Sequence, residues 1–181
     1  MRFPRRDCSY AKWIDPVRYI GFCVVSISQI LTSILLSSVE GLFYKTASEK
    51  FMIFAEADTG EIYKVPLGVP ETPCSPLGIN TNISRPVAVD YDPVEGKIYW
   101  TDVKLKLLAR AFPNGSSVEV IVHGNVVIPS GLAVDHVGRN IYWTDEGNNR
   151  IEVARLDGSS RRSLITSMER PRAIVLDIGE R

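Results

Sequence analysis

The pentapeptide IYWTD occurs twice in this 181-residue chain, at Ile98–Asp102 and at Ile141–Asp145, so the two copies lie 43 positions apart. The agreement extends beyond five letters. Upstream of each copy a proline lies six residues before an aspartate, and downstream a PNG turn falls in register with an LDG turn. Self-similarity at a period of about 40–45 residues is typical of proteins built from repeated structural units.

Further copies of the unit flank these two. Met52–Glu56 is a degenerate version of the pentapeptide, and the proline-to-aspartate spacing returns from Pro171 to Asp177. We therefore divide the chain into a leader (1–41) and a repetitive body (42–181). The units of the body are predicted at about 51–84, 85–127 and 128–170, with the start of another at 171–181.

Each unit reads as four short strands, because its apolar segments are bounded by Gly, Pro, Asn and Asp. In the second full unit we predict strands at Gly131–Val134, Asn140–Thr144, Arg150–Leu156 and Arg162–Ile165. Asn114-Gly115 and Asp157-Gly158 are predicted hairpin turns, where positive φ is needed. Four antiparallel strands repeated every 43 residues indicate blades of a β-propeller, so the predicted fold is all-β, with about three of six blades present.

The repeated letters themselves predict a structural role. Alternation places Ile and Trp on one face of the strand and Tyr and Thr on the other. The terminal aspartate is expected to accept hydrogen bonds from the adjoining blade or loop, since a buried carboxylate without partners is costly. The residues assigned to this motif are Tyr99, Trp100, Thr101, Asp102, Tyr142, Trp143, Thr144 and Asp145.

The leader has the pattern of a secretory signal. Five basic residues precede Tyr19–Val39, a stretch of 21 residues without charge, and Gly41 offers a cleavage site. An uncleaved signal anchor and a buried helix are the alternatives. Export would expose the body to glycosylation, and the sequons at Asn82 and Asn114 are the predicted acceptors. It would also leave Cys74 as the only cysteine of the body, either buried, reactive or missing its partner.

Composition and motifs argue against several functions. Lys+Arg and Asp+Glu both number 21, so the chain lacks the basic excess expected of a nucleic-acid-binding surface. No hydrolase, zinc-protease or phosphate-loop motif occurs, and His123 and His136 do not belong to a ligand-spaced cluster. Asp90 and Asp92 could bind calcium, but Asp before Pro93 favours a turn cap. The sequence thus predicts no enzyme activity, catalytic residue, metal, cofactor or small-molecule substrate.

The repeat resembles a known one. IYWTD, preceded by GLAVD at Gly131–Asp135 and followed by NRIEVARLDG at Asn149–Gly158, resembles the YWTD repeat of the low-density lipoprotein receptor family. Asn149–Val153 and Glu169–Ile174 are most similar to the Wnt co-receptor branch. The resemblance implies six blades, about 260 residues, whereas the body offers about half of that. It also implies that the first unit lacks its own inner strand, which the C-terminal end of the ring would supply.

The resemblance implies an N-terminal piece of an extracellular receptor, attached to the plasma membrane by a missing C-terminal span, that binds secreted protein ligands of the Wnt type or their antagonists. A secreted form, if the truncation is real, an endocytic lipoprotein-type receptor and, less favoured, a propeller hydrolase are the alternatives. Loops on a rigid scaffold commonly carry recognition. The loops after IYWTD and those entering the next inner strand should share one face. The predicted ligand-binding residues there are Asp58, Lys104, Glu146, Asn148, Asn149 and Arg170.

Overall fold

The computed structural model describes residues 26–28, 51–66 and 75–177. These residues form three four-stranded antiparallel sheets. The strands are β1 (Ser26–Ser28), β2 (Phe51–Glu56), β3 (Glu61–Pro66), β4 (Ser75–Pro76), β5 (Pro86–Asp92), β6 (Lys97–Asp102), β7 (Leu107–Ala111), β8 (Glu119–Val122), β9 (Pro129–Asp135), β10 (Asn140–Asp145), β11 (Arg150–Arg155) and β12 (Arg162–Ile165). Cys74 and most of the leader lie outside the described residues.

The all-β prediction is confirmed, and the strands follow the repeat. Each IYWTD copy is the second strand of its sheet, which runs β5-β6-β7-β8 in one case and β9-β10-β11-β12 in the other. The predicted strands of the third sheet agree with β9–β12 to within two residues. Gly115 and Gly158 both have the positive φ expected of the two predicted turns, at 78° and 85°. No helix within the described ranges is long and apolar enough to cross a membrane.

The first sheet departs from the expectation of a missing inner strand. Ser26–Ser28, which lies within the predicted leader, pairs antiparallel with Phe51–Ile53 of β2. The physical reason is that an uncovered β2 edge would leave its backbone N–H and C=O groups without partners. A short stretch of the same chain satisfies that edge here.

The blades pack face to face through the pentapeptide. Ile98 and Trp100 are fully buried in a cluster with Ile53 and Ile62 of the first sheet. Tyr99, which points the other way, is buried with Ile141 and Trp143 of the third sheet. The predicted alternation is therefore confirmed, and β6 lies between its two neighbouring blades.

Hydrogen bonds from the threonines connect each blade to the following unit. Thr101 Oγ1 donates to the carbonyl oxygen of Ser130 at 3.0 Å, and Thr144 Oγ1 donates to that of Arg172 at 2.6 Å. At the second of these junctions the backbones approach so closely that a Cβ on Gly131 would lie 2.1 Å from the Arg172 carbonyl oxygen. Asp90 of β5 accepts a hydrogen bond from the Val134 N–H of β9 at 2.8 Å. The inner strands thus lie side by side, in chain order, as in a propeller.

Candidate ligand-binding face

The aspartate that ends each pentapeptide binds two loops at once. Asp102 is fully buried, and its Oδ2 accepts hydrogen bonds from the backbone N–H groups of Ser84 and Arg85 at 2.6 and 2.7 Å. Its Oδ1 accepts from the N–H groups of Lys104 and Leu105 at 3.0 and 2.8 Å. The carboxylate therefore joins the segment entering the blade to the turn leaving its second strand.

Asp145 repeats this arrangement in the next blade. It accepts hydrogen bonds from the N–H groups of Val127 and Ile128 at 3.1 and 2.9 Å, and from the Asn148 backbone N–H at 3.2 Å and side-chain Nδ2 at 2.7 Å. Burial raises the pKa of Asp145, but these hydrogen bonds lower it by a larger amount, so the net pKa lies below its ordinary value. An ionised carboxylate that accepts these four hydrogen bonds holds the two loops in place.

The two sets of loops surround a cavity of about 380 Å³. Its lining follows the repeat, because it uses the residue after the second strand of each unit, both neighbours of Pro86 and of Pro129, and the residue after Pro171. The lining residues are Ala57, Val103 and Glu146 from the first position, then Arg85, Val87, Ile128, Ser130 and Arg172 beside the prolines, with Gly131 and Ala173. The cavity is therefore apolar with three charged groups at its wall.

Two of those charges neutralise each other. Glu146 accepts hydrogen bonds from Arg170 Nε at 2.9 Å and Arg172 Nη2 at 3.3 Å. Burial raises the pKa of Glu146, but the bonds from the two arginines outweigh that effect and leave the pKa lowered. Arg85, in contrast, is exposed and its guanidinium forms no ion pair with any described residue. The cavity wall thus presents a positive charge at Arg85.

Comparison with known proteins identifies the repeat. Residues 96–136 and 139–178 match the model of the low-density lipoprotein receptor repeat class B. The two segments that carry IYWTD are thus similar to low-density lipoprotein receptor class B repeats.

Two curated proteins and one solved structure are similar to this chain. The mouse low-density lipoprotein receptor-related protein 5 is 40% identical over 102 residues, which are 55% of this chain and 6% of that protein. Mouse nidogen-2 is 45% identical over 79 residues, 43% of this chain and 6% of that protein. A crystal structure of a nidogen/laminin complex superimposes with a TM-score of 0.66 and 25% identity over 71% of this chain and 49% of that one. The chain thus spans only a small part of its curated relatives.

Four of the six predicted ligand-binding residues, Glu146, Asn148, Asn149 and Arg170, lie together in the repeat unit at 128–170. Asn148 Nδ2 contacts the Asn125 carbonyl oxygen at 3.3 Å as well as Asp145. Asn149 Oδ1 accepts a hydrogen bond from the Arg170 N–H at 3.3 Å, and Arg170 is paired with Glu146. Among these four, Glu146 alone lines the cavity.

The remaining two predicted residues occupy corresponding turns of the preceding units. Asp58 and Lys104 are exposed, in the turns that follow β2 and β6. The structure does not bring them into contact with the Glu146 group. Their place on the same face follows from the shared position of their turns in the repeat.

The sequence reasoning missed Arg85 and Arg172, although both line the cavity. A signal was available, because Arg85 precedes Pro86 as Arg170 precedes Pro171, and Arg172 follows the same proline. No comparable sequence pattern indicated that Val87, Val103 and Ile128 would form the apolar wall of the cavity.

Asp92, which was considered for calcium binding, lies at the end of its blade opposite the cavity. Asp92 accepts hydrogen bonds from the Val94 and Glu95 N–H groups at 3.0 and 3.3 Å, which confirms the predicted turn cap. It also forms an ion pair with Arg139 of the next blade at 2.9 Å. Across the described part of the chain, no group of three or more His, Cys, Asp or Glu residues is placed to hold a metal ion.

Proposed function

We propose that this chain is the ligand-binding part of an extracellular receptor of the low-density lipoprotein receptor-related class. It recognises a secreted protein through the cavity face, which is the face formed by the loops around the cavity. The proposed setting is Wnt co-receptor signalling at the outer surface of the plasma membrane. The observation that carries this proposal is the cavity at the loops that Asp102 and Asp145 hold in place. Similarity to the receptor-related protein 5 supports the receptor class.

The chemistry of the face suits a protein ligand. Leu105, Val127 and Ile128 are 43%, 38% and 41% exposed beside the cavity, although they are apolar. Apolar surface beside arginines suits a protein interface, because the buried centre of an interface is apolar and Arg is enriched among the residues that contribute most of the affinity. The fixed loops add to this, because a preorganised surface loses little conformational entropy on binding. The proposed role is therefore binding rather than catalysis.

A binding assay with the secreted chain tests the proposal. We expect it to bind at least one member of a panel of Wnt proteins and their secreted antagonists. Arg85→Glu should weaken that binding about 30-fold or more, the effect of losing a central contact worth about 2 kcal/mol. Arg162→Glu provides the control, because Arg162 is exposed on the outer strand β12, away from the cavity.

Two results would contradict the proposal: failure to bind any member of the panel, or equal binding by both charge-reversal variants. Binding that depends on Arg162 but not on Arg85 would move the site to the outer strands.

Similarity to nidogen supports a second candidate function, a propeller that binds a laminin-type matrix protein. A solved nidogen propeller is in complex with laminin, and mouse nidogen-2 is 45% identical over the shared segment. Adding laminin to the same panel separates the two candidates. Arg85-dependent binding to laminin, without binding to Wnt-type ligands, would favour the second.

A further inference from the structure

One of the two glycosylation sequons stands in a turn whose hydrogen bonds join residues close in sequence. Asn114-Gly115-Ser116 connects β7 to β8, and Asn114 and Ser116 are both exposed. Asn114 Oδ1 accepts hydrogen bonds from the Ser116 N–H at 3.0 Å and from Ser116 Oγ at 2.6 Å. The turn is closed by Phe112 N–H to the Ser116 carbonyl at 3.0 Å. The hydrogen bonds that bring the asparagine and the hydroxyl of this sequon together are therefore made within the turn itself, although its Gly115 lies close to the Leu77 and Gly78 carbonyl oxygens.

The other sequon depends on distant residues. The Asn82 carbonyl accepts the Trp100 indole N–H at 3.2 Å, and the Ser84 N–H is held by Asp102 at 2.6 Å. Among the described residues, the side chains of Asn82 and Ser84 make no hydrogen bond to each other. Because Trp100 and Asp102 follow by 18 residues, the Asn82 segment takes its conformation only when the blade has formed.

Asn82, in the segment that leads into the second blade, and Asn114, in a turn of that blade, also lie toward opposite ends of it. Register pairs Asp102 with Leu107, so β7 begins at the cavity end, and it pairs Ile98 with Ala111 at the far end. The Asn114 turn follows Ala111 and lies on the face opposite the cavity. Asn82 lies three residues before Arg85, on the segment that enters the cavity wall.

We propose that Asn114, and not Asn82, is the N-glycosylated residue of this chain. This inference rests on the export that the proposed function requires. In the reaction, Asn114 Nδ2 forms a bond to C1 of an oligosaccharide carried on a lipid pyrophosphate. The bond from C1 to the pyrophosphate oxygen breaks, the lipid pyrophosphate leaves, and the transferase takes one amide proton. A glycan at this position covers the far face and leaves the cavity face open to a protein ligand.

The repeat itself supplies a matched control. Asp157 takes the place of Asn114 in the third blade, and its Oδ1 accepts the Ser159 N–H at 2.9 Å. The closing bond, from the Arg155 N–H to the Ser159 carbonyl, is also present, at 2.8 Å. Asn114→Asp therefore keeps a turn that the chain already builds with aspartate, and it removes only the acceptor amide.

The experiment uses the full chain, produced in human cells with a C-terminal tag that contains an added N-x-T acceptor. Glycans are removed by peptide N-glycosidase in heavy-oxygen water, which marks each occupied asparagine as labelled aspartate for mass spectrometry. We expect the label on the tag and on Asn114, with loss of the body glycan in Asn114→Asp and retention in Asn82→Asp. Ser116→Ala should also abolish it.

The tag separates failure of this inference from failure of export. Label on the tag without label on Asn114, or label on Asn82 in its place, overturns the inference and leaves the exported receptor standing. A tag without label means that the chain does not enter the secretory pathway, which overturns both.

Discussion

The two faces of the second blade are built from the same repeat but with different chemistry. Where that blade meets the first, Trp100 packs with Leu107 and Ala109, and Val118 lies against the same apolar cluster. The residues 43 positions later are Arg150, Glu152 and Arg161, which surround Trp143 where the third blade meets the second. An apolar trio in one interface is thus a charged trio in the next.

The charged trio changes the partners of the indole. Trp100 Nε1 donates to the Asn82 carbonyl at 3.2 Å. The corresponding carbonyl, that of Asn125, accepts instead from Arg150 at 2.7 Å and Arg161 at 3.0 Å, and Trp143 Nε1 has no hydrogen-bond partner among the described residues. The Arg161 guanidinium lies over the Trp143 ring, 5.4 Å from its centroid. A repeat therefore fixes the position of a side chain more firmly than it fixes its hydrogen bonds.

Breaking the charged trio should have the largest effect on stability. Glu152 is buried, with its carboxylate 2.8 Å from Arg161 and 3.2 Å from Arg150. Glu152→Ala would leave two partly buried arginines without their carboxylate, so we expect the free energy of unfolding to fall by about 3–5 kcal/mol. Urea unfolding followed by tryptophan fluorescence measures this.

The second blade supplies the rescue. The triple variant Arg150→Leu, Glu152→Ala, Arg161→Val copies its apolar trio and should regain most of the loss, since apolar replacements of a buried charged group are often neutral or better. A triple variant no more stable than Glu152→Ala would show that the two interfaces are not interchangeable.

Replacing the aspartate that ends each pentapeptide should have the next largest effect on the free energy of unfolding, and the effect should be similar in both blades. Asp102→Asn and Asp145→Asn each place an amide NH₂ against backbone N–H donors, so each should cost about 2–3 kcal/mol. Asp157→Asn is the control, because Asn114 occupies the same turn position in the preceding blade. Equal losses in all three variants would contradict the special role of the buried pair.

Exchanging each tryptophan for phenylalanine should reveal the difference in the indole partners. Trp100→Phe loses a hydrogen bond and Trp143→Phe does not, so the first should cost about 1 kcal/mol more than the second. Equal unfolding free energies for the two variants would mean that the Trp100 bond contributes nothing.

The smallest expected effect is a pH dependence. Because the pKa of Asp145 is lowered in the folded state, its contribution to stability is complete above the unfolded pKa of about 3.9 and is lost as pH falls through the folded pKa. Unfolding free energies measured from about pH 6 to about pH 3 should fall less steeply in Asp145→Asn than in the natural chain. Identical slopes would remove Asp145 from the acid response.

The sequence predicted the features that are built from repeated residues, and it missed the features that are built from residues that differ between units. IYWTD and its flanking spacings predicted β9–β12, the face alternation of Ile98 and Tyr99, and hydrogen bonding to the terminal aspartates, because each depends on residues that repeat. The exposed Arg85 and the Arg161 contacts depend on residues that differ between units, and their effect appears only when neighbouring blades are in place. Pairing of Ser26–Ser28 with β2 was equally beyond pattern reasoning, since that segment belongs to no repeat.

Amide hydrogen exchange resolved by residue tests most directly whether the buried aspartates fix the loops of the cavity face. The N–H groups of Ser84, Arg85, Val127 and Ile128 lie just before the inner strands, yet we expect them to exchange slowly, because Asp102 and Asp145 bind them. Asp102→Asn should speed exchange at Ser84 and Arg85 and leave Val127 and Ile128 protected. Exchange at open-loop rates in the natural chain, or a uniform change across all four amides, would contradict the account.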